Sequence, residues 1–227
     1  MHPFRVKMPA MTSAAVEITV GHVVLEADLS LPARPSGLIV FAHGSGSSRH
    51  SRRNREVARV LNDASFATLL LDLLTAQEEA VDQFTSEYRF DIPRLGLRVV
   101  SALDWTAARE DLRGLRIGCF GASTGAAAAL IAAADRPGLT AAVVSRGGRP
   151  DLAGDALPRV IAPTLLIVGG NDEPVIQLNE EAMKRMTANV RLEIVPGATH
   201  LFEEAGAMDH VSRLAIDWFT SYVGSQQ

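Results

Sequence analysis

Gly121-Ala122-Ser123-Thr124-Gly125 decides how this chain folds. The residues before it, Leu115 to Phe120, are apolar and read as a buried strand. Those after it, Ala126 to Ala134, are almost all alanine with Leu130 and Ile131, and read as a helix. Strand must therefore pass sharply into helix with Ser123 at the turn. G-x-S-x-G in that setting is a nucleophile elbow. Small residues at 121, 122, 125 and 126 let strand and helix approach, and the turn lifts the serine hydroxyl out of the sheet. There the free N–H groups and positive dipole end of a helix favour a developing oxyanion. The flanking elements favour a nucleophile over a merely structural Gly-rich turn.

Working outward, 227 residues are enough for one domain with a sizeable core. Hydrophobic residues make up 47% and charged residues 21%, the profile of a globular protein. A net charge of −4 gives no reason to expect nucleic acid or an anionic membrane as partner. The single cysteine, Cys119, cannot form an internal disulfide, so no oxidising compartment is implied. The start of the chain lacks the apolar core of a secretory signal, and no apolar run is long enough to span a membrane. A cytoplasmic protein is expected, loosely ordered over residues 1–14, with a single domain over 15–227.

Val16 to Val20 and Val23 to Leu31 alternate around Gly21-His22, as an antiparallel hairpin would. Leu38 to Ala42 is a continuous apolar run of the kind found in a central parallel strand. A Gly/Ser loop follows from His43, then a polar helix from Ser51 to Ala64 and a buried strand from Ala67 to Leu71. Residues 73–89 are acidic and mixed. Asp91-Ile92-Pro93 starts a helix that runs to about Arg109, with Leu97, Val100, Ser101 and Trp105 on one face. Strands at 139–145, 164–168 and 191–195 follow, with helices at 175–186 and 208–222. Apolar strands alternating with helices predict a mostly parallel sheet covered by helices on both faces.

Parallel sheets bind ligands beyond the carboxyl ends of their strands. Three such ends each carry one group that acyl transfer needs. Ser123 is the nucleophile, activated by a base. His200, after the last strand, is that base, and Asp172, after the preceding strand, orients the imidazole. Asp172 could instead cap the helix that follows it, with Glu173 as the fallback acid. The oxyanion donors are the N–H groups of Thr124 and of one residue in His43-Gly44-Ser45-Gly46; Ser45 is the first choice and Gly46 the second. His43 is expected to hydrogen-bond backbone near that loop. No function is read for His2, His22, His50 or His210.

The chain resembles the dienelactone hydrolase family of α/β-hydrolases. The likeness runs from about residue 17 to 223, through His43-Gly44-Ser45-Gly46, the elbow, Gly169-Gly170-Asn171-Asp172 and Pro196-Gly197-Ala198-Thr199-His200-Leu201-Phe202. The resemblance implies an α/β-hydrolase fold and hydrolysis of carboxylic esters. Dienelactone hydrolases that give the family its name carry cysteine where this chain has Ser123, which favours a general esterase over a lactonase. Cys119 lies on the strand and is not a substitute nucleophile.

The span between Ser145 and Thr164 is too short for a large helical cap, so the cleft should be open and suited to small acyl groups. Arg146 and Arg149 are candidates to hold a substrate carboxylate, with pairing to Asp151 or Asp155 as the alternative. Arg49, Arg52, Arg53, Arg55 and Arg59 form either a solvated helix face or a funnel for anionic substrates. No cofactor and no metal are expected: G-x-G-x-x-G is not met after Gly44, and no histidine pair has ligand spacing. The expected partner is a small-molecule ester, and the expected state is a monomer or homodimer. An acyltransferase or perhydrolase could use the same three residues, and a catalytically silent binding protein could keep the scaffold.

Overall fold

The computed structural model describes residues 11–224. Eight strands form one sheet in the order β1-β2-β4-β3-β5-β6-β7-β8. β1 (Thr12–Val20) and β2 (Val23–Leu31) make the antiparallel hairpin, and β2 lies antiparallel to β4 (Ala67–Leu71). From β4 onward every pairing is parallel, through β3 (Leu38–Ala42), β5 (Ile117–Ala122), β6 (Thr140–Arg146), β7 (Thr164–Gly169) and β8 (Val190–Val195). This is the α/β-hydrolase fold, with no cap inserted. Between β6 and β7 the chain makes only short 3₁₀ turns over Pro150–Arg159.

The central strands bury both faces because successive side chains point to opposite sides. In β3, Leu38, Val40 and Ala42 join one core, while Ile39 and Phe41 join the other. Five of the six helices among the described residues are α1 (Arg52–Asp63), α3 (Ile92–Ala108), α4 (Thr124–Asp135), α5 (Glu173–Arg185) and α6 (Ala207–Tyr222). The α1 and α6 side chains Val57, Leu61, Val211 and Phe219 cover the Phe41 face; Val99, Leu103 and Leu130 of α3 and α4 cover the Leu38 face. Phe41 and Phe120 meet at 4.9 Å between ring centroids, beneath the elbow.

Three details differ from the sequence expectation. Thr12 to Ala14 are strand, paired with Leu31 to Leu29, although residues 1–14 were expected to be loosely ordered; residues 1–10 lie outside the described ones. The acidic stretch contains a further helix, α2 (Ala76–Thr85), started by a reciprocal capping box between Thr75 and Glu78. The third difference is the face of α3. Of the residues expected on one face, Leu97 is 57% exposed and Val100 is buried, and the buried side also takes in Ile92, Leu95, Val99, Ala102, Leu103 and Thr106. Apolar residues occur on both sides of this helix, so periodicity alone did not say which side meets the sheet.

Candidate active site

β5 becomes α4 through Ser123, whose backbone is held at φ 50° and ψ −122°. A non-glycine residue there is strained and persists only because its surroundings force it. Those surroundings are backbone against backbone. Ser123 N–H donates to Arg146 O at 3.3 Å, and Ser123 O accepts from Ala126 N at 3.1 Å and Arg149 N at 3.1 Å. A Cβ on Gly121 would strike Ala126, and one on Gly125 would strike the Ala42 and His43 carbonyls. The Ser123 side chain does not cap the helix it starts. It opens instead onto a cavity of about 260 Å³.

His200 lines the same cavity. Its Nδ1–H donates to Asp172 Oδ2 at 2.7 Å, which leaves Nε2 on the far side of the ring. Asp172 occupies the N-cap position of α5 but makes no side-chain cap bond, so its carboxylate serves the imidazole and not the helix. Glu173 points into solvent. The two loops are joined by backbone: Gly170 N donates to Val195 O at 2.8 Å and Asn171 N to Ala198 O at 2.9 Å. Asn171 Nδ2 adds a bond to Gly197 O at 2.9 Å. Ser123 and His200 both line the cavity, and no hydrogen bond joins them.

The loop after β3 lies against the elbow, and a Cβ on Gly44 would come 2.9 Å from the Ser123 Cβ. Its position is set by side chains. Ser45 Oγ donates to Arg89 O at 3.2 Å, and a carbonyl can only accept. The Thr124 hydroxyl must then donate in its 2.9 Å bond to Ser45 Oγ. This chain ties the loop to the first residue of α4. Arg89 is fixed in turn by buried Asp82, which accepts from Tyr88 N at 2.8 Å, Arg89 N at 3.0 Å and Arg89 Nε at 2.6 Å. His43 Nδ1–H donates to Gly44 O at 2.9 Å, and Nε2 accepts from Leu73 N at 2.9 Å. Burial pushes the His43 pKa down, consistent with the neutral ring those two bonds require. Arg98 holds the other side of Leu73 by bonding its carbonyl.

The arginines separate into two groups. Arg149 is held bidentately by Asp151 at 2.9 and 2.8 Å, so its guanidinium is already occupied. Arg49 pairs with Glu26, Asp28 and Asp72, Arg55 with Asp28, and Arg59 with Asp63. Arg146 and Arg53 line the cavity in front of Ser123. Nothing in the spacing of the cluster from Arg49 to Arg59 distinguishes Arg53 from its neighbours. For α2 a signal was present, the Thr75-x-x-Glu78 capping pattern. Burial pushes the Cys119 thiol up to about 12, which makes it inert. No helix among the described residues is long and apolar enough to cross a membrane.

A model of the Dienelactone hydrolase family matches residues 25–222. A solved dienelactone hydrolase from Anabaena variabilis is 54% identical, with a TM-score of 0.92 over 94% of this chain and 99% of that one. Est1E from Butyrivibrio proteoclasticus shares the fold at 18% identity, with a TM-score of 0.74 over 91% of this chain and 98% of its own. Two Mycobacterium tuberculosis proteins, each named "Putative phosphoribosyl transferase", are 52% identical over 215 residues, 95% of this chain and 48% of theirs. The chain thus spans about half the length of the curated relatives it matches.

Proposed function

The chain belongs to the dienelactone hydrolase family, and from that premise we propose that it is a serine hydrolase of small carboxylic esters. Ser123 Oγ attacks the ester carbonyl while His200 Nε2 takes the hydroxyl proton. Asp172 keeps the Nδ1–H tautomer in place and stabilises the imidazolium. The carbonyl oxygen, now an oxyanion, is met by the N–H groups of Thr124 and Ser45. Collapse breaks the bond to the alcohol oxygen, which leaves with the proton from His200, and Ser123 remains acylated. Water then repeats the sequence with its own proton passing to His200, releasing the acid and restoring the serine. No redox or metal step is required by this balance.

The observation that carries the reading is the 2.7 Å bond from His200 to Asp172, on the wall of the cavity onto which a strained Ser123 opens. An isolated surface histidine would need no carboxylate on Nδ1, and Ser123, at φ 50° and ψ −122°, lies outside the left-handed helical region in which the helix-capping Ser86 sits at φ 57° and ψ 21°. The transferase name of the longer relatives is not carried over, because the chain matches only 48% of each of them. Intact mass after fluorophosphonate treatment tests the reading. A single adduct on the parent that is absent from Ser123→Ala is expected; no adduct on the folded parent would overturn it.

A further inference from the structure

The cavity in front of Ser123 holds positive charge that hydrolysis of a neutral ester does not use. Arg146 ends β6 in register with Ala122 and is only 7% exposed. Among the described residues its Nε and Nη1 have no hydrogen-bond partner, and its guanidinium lies 5.9 Å from the Phe202 ring. Arg98, equally buried, is satisfied by Leu73 O and Glu78. A buried guanidinium without a counter-ion is costly to keep. Such a cost is tolerated where a ligand supplies the missing charge.

A second cation faces the same space. Arg53, on the first turn of α1, has a buried Nε without a partner among the described residues, and its ion pair to Glu203 is long at 3.4 Å. Ser47, Ser51 and Asn54 line the cavity beside it. Ser51 is the N-cap of α1, so the positive end of a 12-residue helix opens there as well. With Glu203 set against Arg53, the donors that converge here, from Arg146, from Arg53 Nε and from the start of α1, still outnumber the two oxygens of a carboxylate ligand. A phosphate monoester carries about −1.5 to −2 at neutral pH and offers three acceptor oxygens. Those oxygens can take donors arriving from β6, from α1 and from the loop before α1.

We propose that Arg146, Arg53 and the start of α1 form a phosphate subsite, and that the ester cleaved at Ser123 carries a phosphate group a short link away. The subsite stands on the arginines; the assignment of its occupant as substrate rests on the hydrolase reading. The rest of such a substrate has room on the other flank of the Gly44–Ser45 loop, where Leu73, Leu74 and Leu95, with Glu79, Asp82 and Arg89, line a cavity of about 330 Å³.

Calorimetric titration with inorganic phosphate tests the subsite, using the parent protein, Arg146→Met and Arg53→Gln, with acetate as the monoanion control. Saturable phosphate binding is expected, weakened at least about tenfold in each variant, because hydrogen bonds to charged groups are being removed. Arg53 is partly exposed, so its variant keeps the test decisive should Arg146→Met fail to fold. Absence of phosphate binding, binding unchanged in the variants, or acetate bound as tightly as phosphate would each overturn the proposal. Turnover of a neutral acetate ester by the parent is measured in parallel. Turnover without phosphate binding removes the subsite alone, whereas phosphate binding without turnover of any ester removes the hydrolase reading alone. With both present, an acetate ester of a phosphorylated alcohol should exceed its unphosphorylated counterpart in kcat/KM, and Arg146→Met should abolish that preference.

Discussion

His200 Nδ1 donates to Asp172 Oδ2 at 2.7 Å, across two loops whose residues are 28 positions apart in the chain. Replacing the acceptor tests what the bond does. In Asp172→Asn the amide can present its NH₂ to Nδ1 and favour the wrong imidazole tautomer. kcat should fall by about 10⁴, with the melting temperature nearly unchanged because both loops are held by backbone bonds. Glu173 is exposed and should not rescue the loss.

Ser123→Ala and His200→Ala should each lower kcat by about 10⁴ to 10⁶, and the double variant little further, because groups acting as a unit are not additive. Steady-state kinetics on one neutral ester provides the comparison. Losses that add in logarithm would mean that Ser123 and His200 serve separate steps.

The strain at Ser123 predicts a stability difference between two variants of the elbow. Alanine at φ 50° keeps the steric conflict, whereas glycine removes it. Ser123→Gly should be more stable than Ser123→Ala by about 1 kcal/mol, read from urea unfolding midpoints. Equal midpoints would show that the elbow stores no strain.

His43 makes stability depend on mild acid. Burial holds its folded pKa below the 6.5 of an exposed imidazole, so the unfolded chain binds more protons. Stability should be fully present above pH 6.5 and decline as the pH falls below it. Burial pushes Glu78 and Asp82 upward, but hydrogen bonds, chiefly those involving Arg98 and Arg89, more than reverse it, holding them below 4.5 and 3.8. Both therefore stay ionised through most of that interval. Melting temperatures of the parent and His43→Gln between pH 7 and pH 5 should show a steeper slope in the parent.

Asp82 joins stability to the site. It is 2% exposed and receives Arg89 Nε as well as two backbone N–H groups. Asp82→Ala leaves a partly buried cation and two donors unpaired, and should cost about 3 kcal/mol in urea unfolding. The Arg89 carbonyl that accepts from Ser45 loses its support, so kcat on a neutral ester should fall as well. A variant destabilised without any change in kcat would uncouple Arg89 from the Gly44–Ser45 loop.

Much of this architecture was legible in the residues because it is set by local chemistry. The apolar runs 38–42 and 67–71 became β3 and β4 to the residue. The elbow needed small residues at 121, 122, 125 and 126, and those letters stand together in the sequence. The positions of Ser123, Asp172 and His200 after their strands could likewise be read from strand ends. The sequence by itself determined the order of strands and helices apart from α2, the turn at Ser123 and the kind of group at each strand end. These depend on propensity, periodicity and steric bulk within a few residues.

Only the tertiary structure decided which partners those groups take. Asp172 could have capped α5; the loop after β8 brought His200 to it instead. Arg149 found Asp151, while Arg146, three positions earlier, lines the cavity without a counter-ion among the described residues. Side-chain pairing and desolvation depend on atoms that arrive from distant parts of the chain. A guanidinium reads the same in sequence whether it ends against a carboxylate or on the wall of a cavity.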